Sequence, residues 1–231
     1  MQKKIVLLSG PSCVGKTPLL KALARRHPEI AWGRPVLYTS RAPRPSERDG
    51  VDYHFRSETE IIALPPERFV VAKTRRIWQA VDLDELTALV ERFSLIIYDV
   101  HPALVEKLVA HPRITDFPIN IVRVFLQPAT LEEIADLQRV MEVSKQEATA
   151  AMMTPKLIAR ALQQGTELTP TVLLDIRVRA ARAWEEILIG ASYDDVLINR
   201  DGEDSPHWSD PMTGDAARTL AAFVRIIAAP A

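Results

Sequence analysis

An apolar run from Lys3 to Ser9 leads directly into GPSCVGKT, Gly10 to Thr17, and then into residues at helical spacing, Leu19, Leu20, Leu23 and Ala24. No other stretch limits the fold as much. The pattern G-x-x-x-x-G-K-[ST] between a strand and a helix aims several backbone N–H groups at one point. The helix N-terminus adds positive potential, so a phosphate binds there. Gly10, Ser12, Cys13, Val14, Gly15, Lys16 and Thr17 then form a nucleotide-binding loop. Lys16 reaches the terminal phosphates of ATP, and the Thr17 hydroxyl helps to hold Mg2+. Pro18 is the anomaly, because it has no N–H to give. In the first helical turn that loss breaks no helix bond. One phosphate contact disappears, at a cost of about 1.5–3 kcal/mol if nothing replaces it. The expectation is weaker nucleotide binding with the chemistry of Lys16 and Thr17 intact. Cys13 stands where a small residue is usual, either as a filler or as a reactive thiol at a helix N-terminus.

Apolar strands alternate with helical patterns along the rest of the chain, which predicts an α/β fold with a mainly parallel sheet flanked by helices. Strands are expected near 3–9, 35–40, 94–100, 119–126 and 194–199. Helices are expected near 15–26, 82–93, 102–110 and 215–228. Residues 41–80 are rich in Arg and Pro and read as a small inserted lobe. From Thr130 to Gln164 the pattern is helical, with a break expected near Thr154-Pro155. Thr169 and Pro170 read as the N-cap and first residue of a helix to about Ile189. Residues 200–214 read as a polar loop. A single domain is expected, with a core of about 1–35, 82–130 and 170–231, an acceptor lobe of about 36–81 and a lid region of about 131–169.

With 231 residues, 47% of them hydrophobic, the chain can bury a core. Its net charge of −1 gives no overall field to attract nucleic acid or a membrane surface. One cysteine excludes an internal disulfide framework and suits a reducing compartment. The run Ile5 to Leu8 is too short for a signal-peptide core, and no stretch of about 18 apolar residues occurs. A cytoplasmic protein, monomer or homodimer, is expected. The histidines and Cys13 make no zinc pattern.

A second stretch, TSRAPRPSERDGVDYHF from Thr39 to Phe55, narrows the function. Arg41 and Arg44 lie three apart in a Pro-stiffened loop, before a turn at Asp49-Gly50 and then Tyr53. Two guanidiniums so placed can grip a phosphate in fork geometry; taken alone, a solvated basic loop is the plainer account of them. Placed after the phosphate loop, the stretch closely resembles guanylate kinases, whose pattern is roughly T-T-R-x-P-R-x-G-E-x-x-G-x-D-Y-x-F. Thr39, Arg41, Pro43, Arg44, Glu47, Gly50, Asp52, Tyr53 and Phe55 match, while Ser40 and Ser46 depart. The resemblance implies a P-loop NTPase-type fold and phosphoryl transfer from ATP, with Mg2+, to a nucleoside monophosphate. It implies that Arg41, Arg44 and Tyr53 hold the acceptor's phosphate, and that a helical lid brings further arginines.

The resemblance weakens where the family reads guanine. A usual serine falls at Leu37 and a usual glutamate near Val71. The Tyr-Tyr-Gly-[ST] stretch aligns with Trp78-Gln79-Ala80, and D-x-D becomes Asp99-Val100-His101. Trp78, Asp99 and His101 remain candidates for the acceptor site, and Asp99 also for Mg2+. A strand-end cap is the lesser alternative for Asp99, while His101 reads as a polar wall residue rather than a base. Groups that accept from guanine become apolar or neutral, and a site that loses such partners loses discrimination. In the lid stretch Gln164-Gly165-Thr166-Glu167, Gln replaces an Arg. Arg177 fits the later lid arginine, with a solvated face as the alternative; Arg160 or Arg139 fits the earlier one. Asn199 resembles the family's V-x-N near the adenine site, or is a turn residue. His207 and Trp208 read as loop packing rather than a substrate lid. Three functions follow. The first is a kinase with a changed phosphorylated acceptor, the second an ordinary GMP kinase, and the third a module that binds phosphate or phosphopeptides with little turnover.

Overall fold

The computed structural model describes residues 3–44, 47–74, 76–116 and 119–229; Ser46 lies outside them. The chain forms two compact units, one from the described parts of 1–7 and 31–122, the other from 8–30 and 123–229. A four-stranded parallel sheet has the order β6-β1-β7-β8, from β6 (Leu95–Asp99), β1 (Lys4–Ser9), β7 (Asn120–Gln127) and β8 (Asp195–Ile198). All six residues of β1 are buried. A strand covered on both faces needs such a continuous apolar run.

In the first unit a second sheet has the order β3-β2-β5-β4, from β3 (His54–Phe55), β2 (Tyr38–Thr39), β5 (Ile77–Asp82) and β4 (Phe69–Thr74). β2 pairs parallel with β3 and antiparallel with β5. The strand expected over 35–40 shrinks to Tyr38–Thr39, because the chain before it leaves this sheet to make a bridge from Gly33 to Ile96. Helix α2 (Glu58–Ile62) carries a full capping box from Ser57 and Glu60. It buries Ile61 against Phe69 and Ala80. Helix α3 (Leu83–Arg92) starts on Asp82, whose carboxylate accepts from the N–H groups of Asp84 and Glu85. Helices α4 (Pro102–Val109) and α5 (Pro112–Thr115) each start with a histidine cap followed by proline.

The second unit holds α1 (Lys16–Arg26), α6 (Leu131–Met141), α7 (Lys145–Gln163), α8 (Pro170–Gly190) and α9 (Gly214–Ala228). Thr169 caps α8 by accepting from the Val172 N–H, as its place before Pro170 predicts. The helical break is not at Thr154-Pro155. It falls at Glu142, which is left-handed at φ 55°, and Ser144 then opens α7 with its own capping box to Glu147. α7 runs through Pro155. Pro155 and Ala151, whose carbonyl the proline cannot bond, are both exposed, so that carbonyl is open to solvent. Two residues to either side, Met153 and Leu157 are buried with Ile176, Ala180 and Ala183 of α8, so packing carries the helix through the proline. α7 ends at Gly165 (φ 66°), where the Thr166 N–H reaches Ala161 O and the Gly165 N–H reaches Leu162 O. This paired closure requires glycine's left-handed freedom.

Candidate active site

The phosphate loop belongs to the second unit, between the end of β1 and α1. Gly10 and Gly15 both have positive φ, 149° and 105°. A Cβ at Gly10 would run into the Leu126 carbonyl, and one at Gly15 into the Asn199 amide. Lys16 curls back, its Nζ 2.8 Å from Gly10 O and 3.3 Å from Pro11 O. Asn199 is fully buried, and its Nδ2 donates to Val14 O at 2.7 Å. So this residue secures the loop from the end of β8, while its Oδ1 has no hydrogen-bond partner. Ser12 is half-buried, Val14 buried and Thr17 exposed. The first α1 bond runs from Leu19 N to Gly15 O at 3.1 Å. Pro18 is therefore the third helical residue, where its missing N–H costs the helix nothing.

Cys13 takes the left-handed conformation at φ 65° and is buried. Burial raises its thiol above the ordinary value, and the nearby Arg160 opposes this only in part. It is a packed filler of the α7–α8 cluster, not a reactive thiolate. The structure also separates the two candidate lid arginines. Arg160 lies at the loop, with Nη1 3.7 Å from Cys13 Sγ and 3.3 Å from Glu203 Oε2. Arg139 is exposed and pairs with Asp136 on its own helix. On α8 Arg179 pairs with Asp175, whereas Arg177 is exposed with no ion pair among the described residues. Gln164 is the C-cap of α7. In the loop after β8, Trp208 is buried and its indole N–H donates to Gly202 O at 2.7 Å. His207 bonds Asp201 at 2.6 Å.

The second stretch builds a basic corner in the first unit. Arg41 forks onto Glu47, with Nη1–Oε2 and Nη2–Oε1 both 2.6 Å. Arg44 gives Glu47 its backbone N–H at 2.8 Å and its guanidinium at 3.3 Å. Burial alone would raise the Glu47 carboxyl, but Arg41 and the Arg44 N–H outweigh it and hold it below its ordinary value. Arg41 also lies 4.8 Å over the Tyr53 ring. Burial raises the Tyr53 phenol, and the nearby Asp99 raises it further. An open groove of about 610 Å³ runs beside this corner, lined by residues that include Ser40, Arg41, Pro43, Arg56 and Ser57.

A sequence model of the family described as guanylate kinase matches residues 2–169. The chain belongs to the guanylate kinase family. A guanylate kinase of Nostoc sp. is 28% identical over 202 residues, covering 87% of this chain and 84% of the relative. One of Frankia casuarinae is 30% identical over 198 residues, covering 85% and 89%. The crystal structure of guanylate kinase from Anaplasma phagocytophilum superposes with a TM-score of 0.57 at 19% identity, covering 97% of this chain and 84% of that one. At that identity it speaks for the fold alone.

The departures from the family pattern have physical accounts of their own. Leu37 and Ala80 are buried, and Val71 lies across from Ala80 in the β4–β5 ladder. Trp78 donates its indole N–H to Glu58 at 2.7 Å and packs on the Ile61 cluster, outside the groove lining. Asp99 ends β6 half-buried. His101 is the N-cap of α4, its Nδ1 accepting from the Ala103 N–H at 3.2 Å. That use leaves the ring's hydrogen on Nε2 in the neutral form. Glu203 and Lys156 escape sequence reasoning, since neither lies in a pattern. Lys156 donates to Arg200 O at 2.7 Å, one helical turn before Arg160.

Proposed function

We propose that this protein transfers a phosphoryl group from Mg·ATP to a nucleoside monophosphate, with weakened discrimination for guanine. The observation that carries the reading is the Arg41–Glu47–Arg44 fork beside Tyr53. One carboxylate holds the Arg41 guanidinium in bidentate geometry and Arg44 by its backbone N–H and a single guanidinium contact, and a phosphate dianion recruits such donors. The donor phosphates would lie on the Gly10–Thr17 loop, with Lys16 leaving its two carbonyls to meet them. The two glycines leave room for that approach, and the unpartnered Asn199 Oδ1 can accept a hydrogen bond beside it. Among the described residues no cluster of three acidic, His or Cys side chains could cage a metal ion. The Thr17 hydroxyl would suit Mg2+, which needs few protein ligands when phosphates and waters supply the rest; Asp99 is the proposed acidic partner. Arg160 and Arg177 would spread the charge that develops on the transferring group. Phosphoryl transfer asks for alignment and neutralisation more than covalent chemistry, and these groups supply both. In this scheme residues 36–81 serve as the acceptor lobe and residues 131–169 as the lid region.

The weakened guanine preference rests on buried apolar Leu37 and Ala80 and on half-buried apolar Val71 across from Ala80. These positions offer a base no carboxylate and no hydroxyl. An ordinary GMP kinase is the second reading, favoured by retained Asp99 and by relatives that are named guanylate kinases. The deciding experiment is ADP formation from Mg·ATP against GMP, dGMP, AMP, CMP, UMP and phosphorylated sugars, with Lys16→Ala as control. Turnover highest with an acceptor other than GMP supports the proposal. GMP turnover far above the others makes it a GMP kinase. No turnover and no ATP binding would leave a phosphate-binding module.

A further inference from the structure

Glu203 lies in the loop after β8, outside both family stretches. Three contacts tie that loop to the phosphate loop and to α7. The Glu203 N–H donates to Cys13 O at 3.0 Å. Its carboxylate pairs with Arg160 at 3.3 Å, and the two side chains are only 16% and 18% exposed. One turn earlier, Lys156 Nζ donates to Arg200 O at 2.7 Å. The loop holds its own shape for this purpose. Gly202 is left-handed at φ 69°, its carbonyl accepts from the Trp208 indole, and a Cβ there would press on Cys13 O.

We infer that Glu203 is a positioning residue for the phosphoryl donor: it holds the Arg160 guanidinium against the phosphate loop before any nucleotide arrives. The inference rests on the donor-site reading above. An arginine side chain free in solvent must surrender rotamer freedom when it meets a phosphate. Arg160 has already done so, through a buried carboxylate whose own backbone is bonded to the loop it serves. Its Nε–H is buried without a partner, so the guanidinium is not fully occupied by the protein. Asp204 Oδ2 beside it is likewise buried and unbonded, and burial raises that carboxyl above its ordinary value. The carboxylate that pairs with Arg160 is that of Glu203.

The test is a double-mutant cycle on the full chain, with ATP affinity read by calorimetry and steady-state constants read alongside. Glu203→Gln keeps the side chain's shape and removes its charge. A hydrogen bond to a charged group corresponds to about a tenfold effect or more. Glu203→Gln and Arg160→Ala should each weaken ATP by about that factor, and the double variant should bind no worse than Arg160→Ala alone. KM for ATP should rise in Glu203→Gln while KM for the acceptor and the melting temperature stay put, and Glu203→Asp should recover part of the loss. Losses that multiply in the double variant would overturn the inference. So would a Glu203→Gln protein that binds ATP as the parent does while Arg160→Ala binds it worse. A parent protein that binds no ATP removes the donor reading itself, and this inference with it.

Discussion

At the scale of single residues, Pro18 separates what the fold needs from what a ligand needs. Helix α1 begins without it, since its first bond comes from Leu19 and the carbonyl one turn before Pro18 is taken by Asn199. The fold therefore tolerates proline, and only a bound phosphate would miss the N–H. Pro18→Ala should tighten ATP by about tenfold, the lower end of what a hydrogen bond to a charged group supplies. Calorimetry on the two proteins reads it directly. Equal affinities would mean that the N–H at this position faces no phosphate. Glu47 presents the reverse case, a residue the local fold does need. Glu47→Ala strips the fork from Arg41 and leaves the Arg44 N–H without its acceptor. A stability loss of about 1–3 kcal/mol in denaturant titration is expected. KM for the acceptor should rise with it, because Arg41 loses the group that aims it.

At the scale of elements, local chemistry decided which expectations held. Thr169-Pro170 places a helix start within its own few residues, and the structure has it there. The same holds for β1 and α1, where an unbroken apolar run meets a loop whose glycines have no alternative conformation. The break expected at Pro155 failed because proline's local cost was weighed without the packing of Met153 and Leu157 on α8, which no local pattern displays. The true break is marked by Ser144 and Glu147, a capping box that stands in the sequence once the eye leaves the proline. Among the candidate site residues, Lys16, Arg41 and Tyr53 were legible as candidates because motif spacing carries them. Glu203 was not, since its partner Arg160 is far away in sequence and only the fold of the loop after β8 brings the charges together. Pro155 remains a local cost carried by its neighbours. Pro155→Ala should restore the bond to Ala151 O and stabilise the protein by about 1–2 kcal/mol, less than the full penalty for proline because the unfolded chain also gains freedom. For a chain of this size the melting temperature should rise by about 2–8 °C. An unchanged melting point would mean that the carbonyl is equally well served by water.

At the scale of the whole molecule, the buried Asp82 and Asp215 and the half-buried Glu85 contribute to stability with opposite signs. Burial raises Asp82 and Asp215, but Arg68 with two backbone N–H groups, and Arg200 with Arg218, outweigh it, so both end below their ordinary values. Such a group binds fewer protons folded than unfolded. Its contribution is complete above the unfolded value near 4 and is lost as pH falls through the lower folded one. Glu85 behaves oppositely. It is raised by burial, with the Val36 N–H on Oε1 only partly compensating. Its ionisation costs the folded state stability, an effect absent below the unfolded value near 4 and complete once pH passes the raised folded one. The pair makes a test in which the two substitutions must move in opposite directions. Asp215→Asn should lower the urea midpoint at pH 7 and narrow its gap to the parent as pH falls below about 4. Glu85→Gln, which keeps the acceptor for Val36 and removes the charge, should raise the midpoint at pH 7 and lose that advantage near pH 4. If both variants lose stability equally at every pH, then packing and not charge is what these two carboxylates contribute.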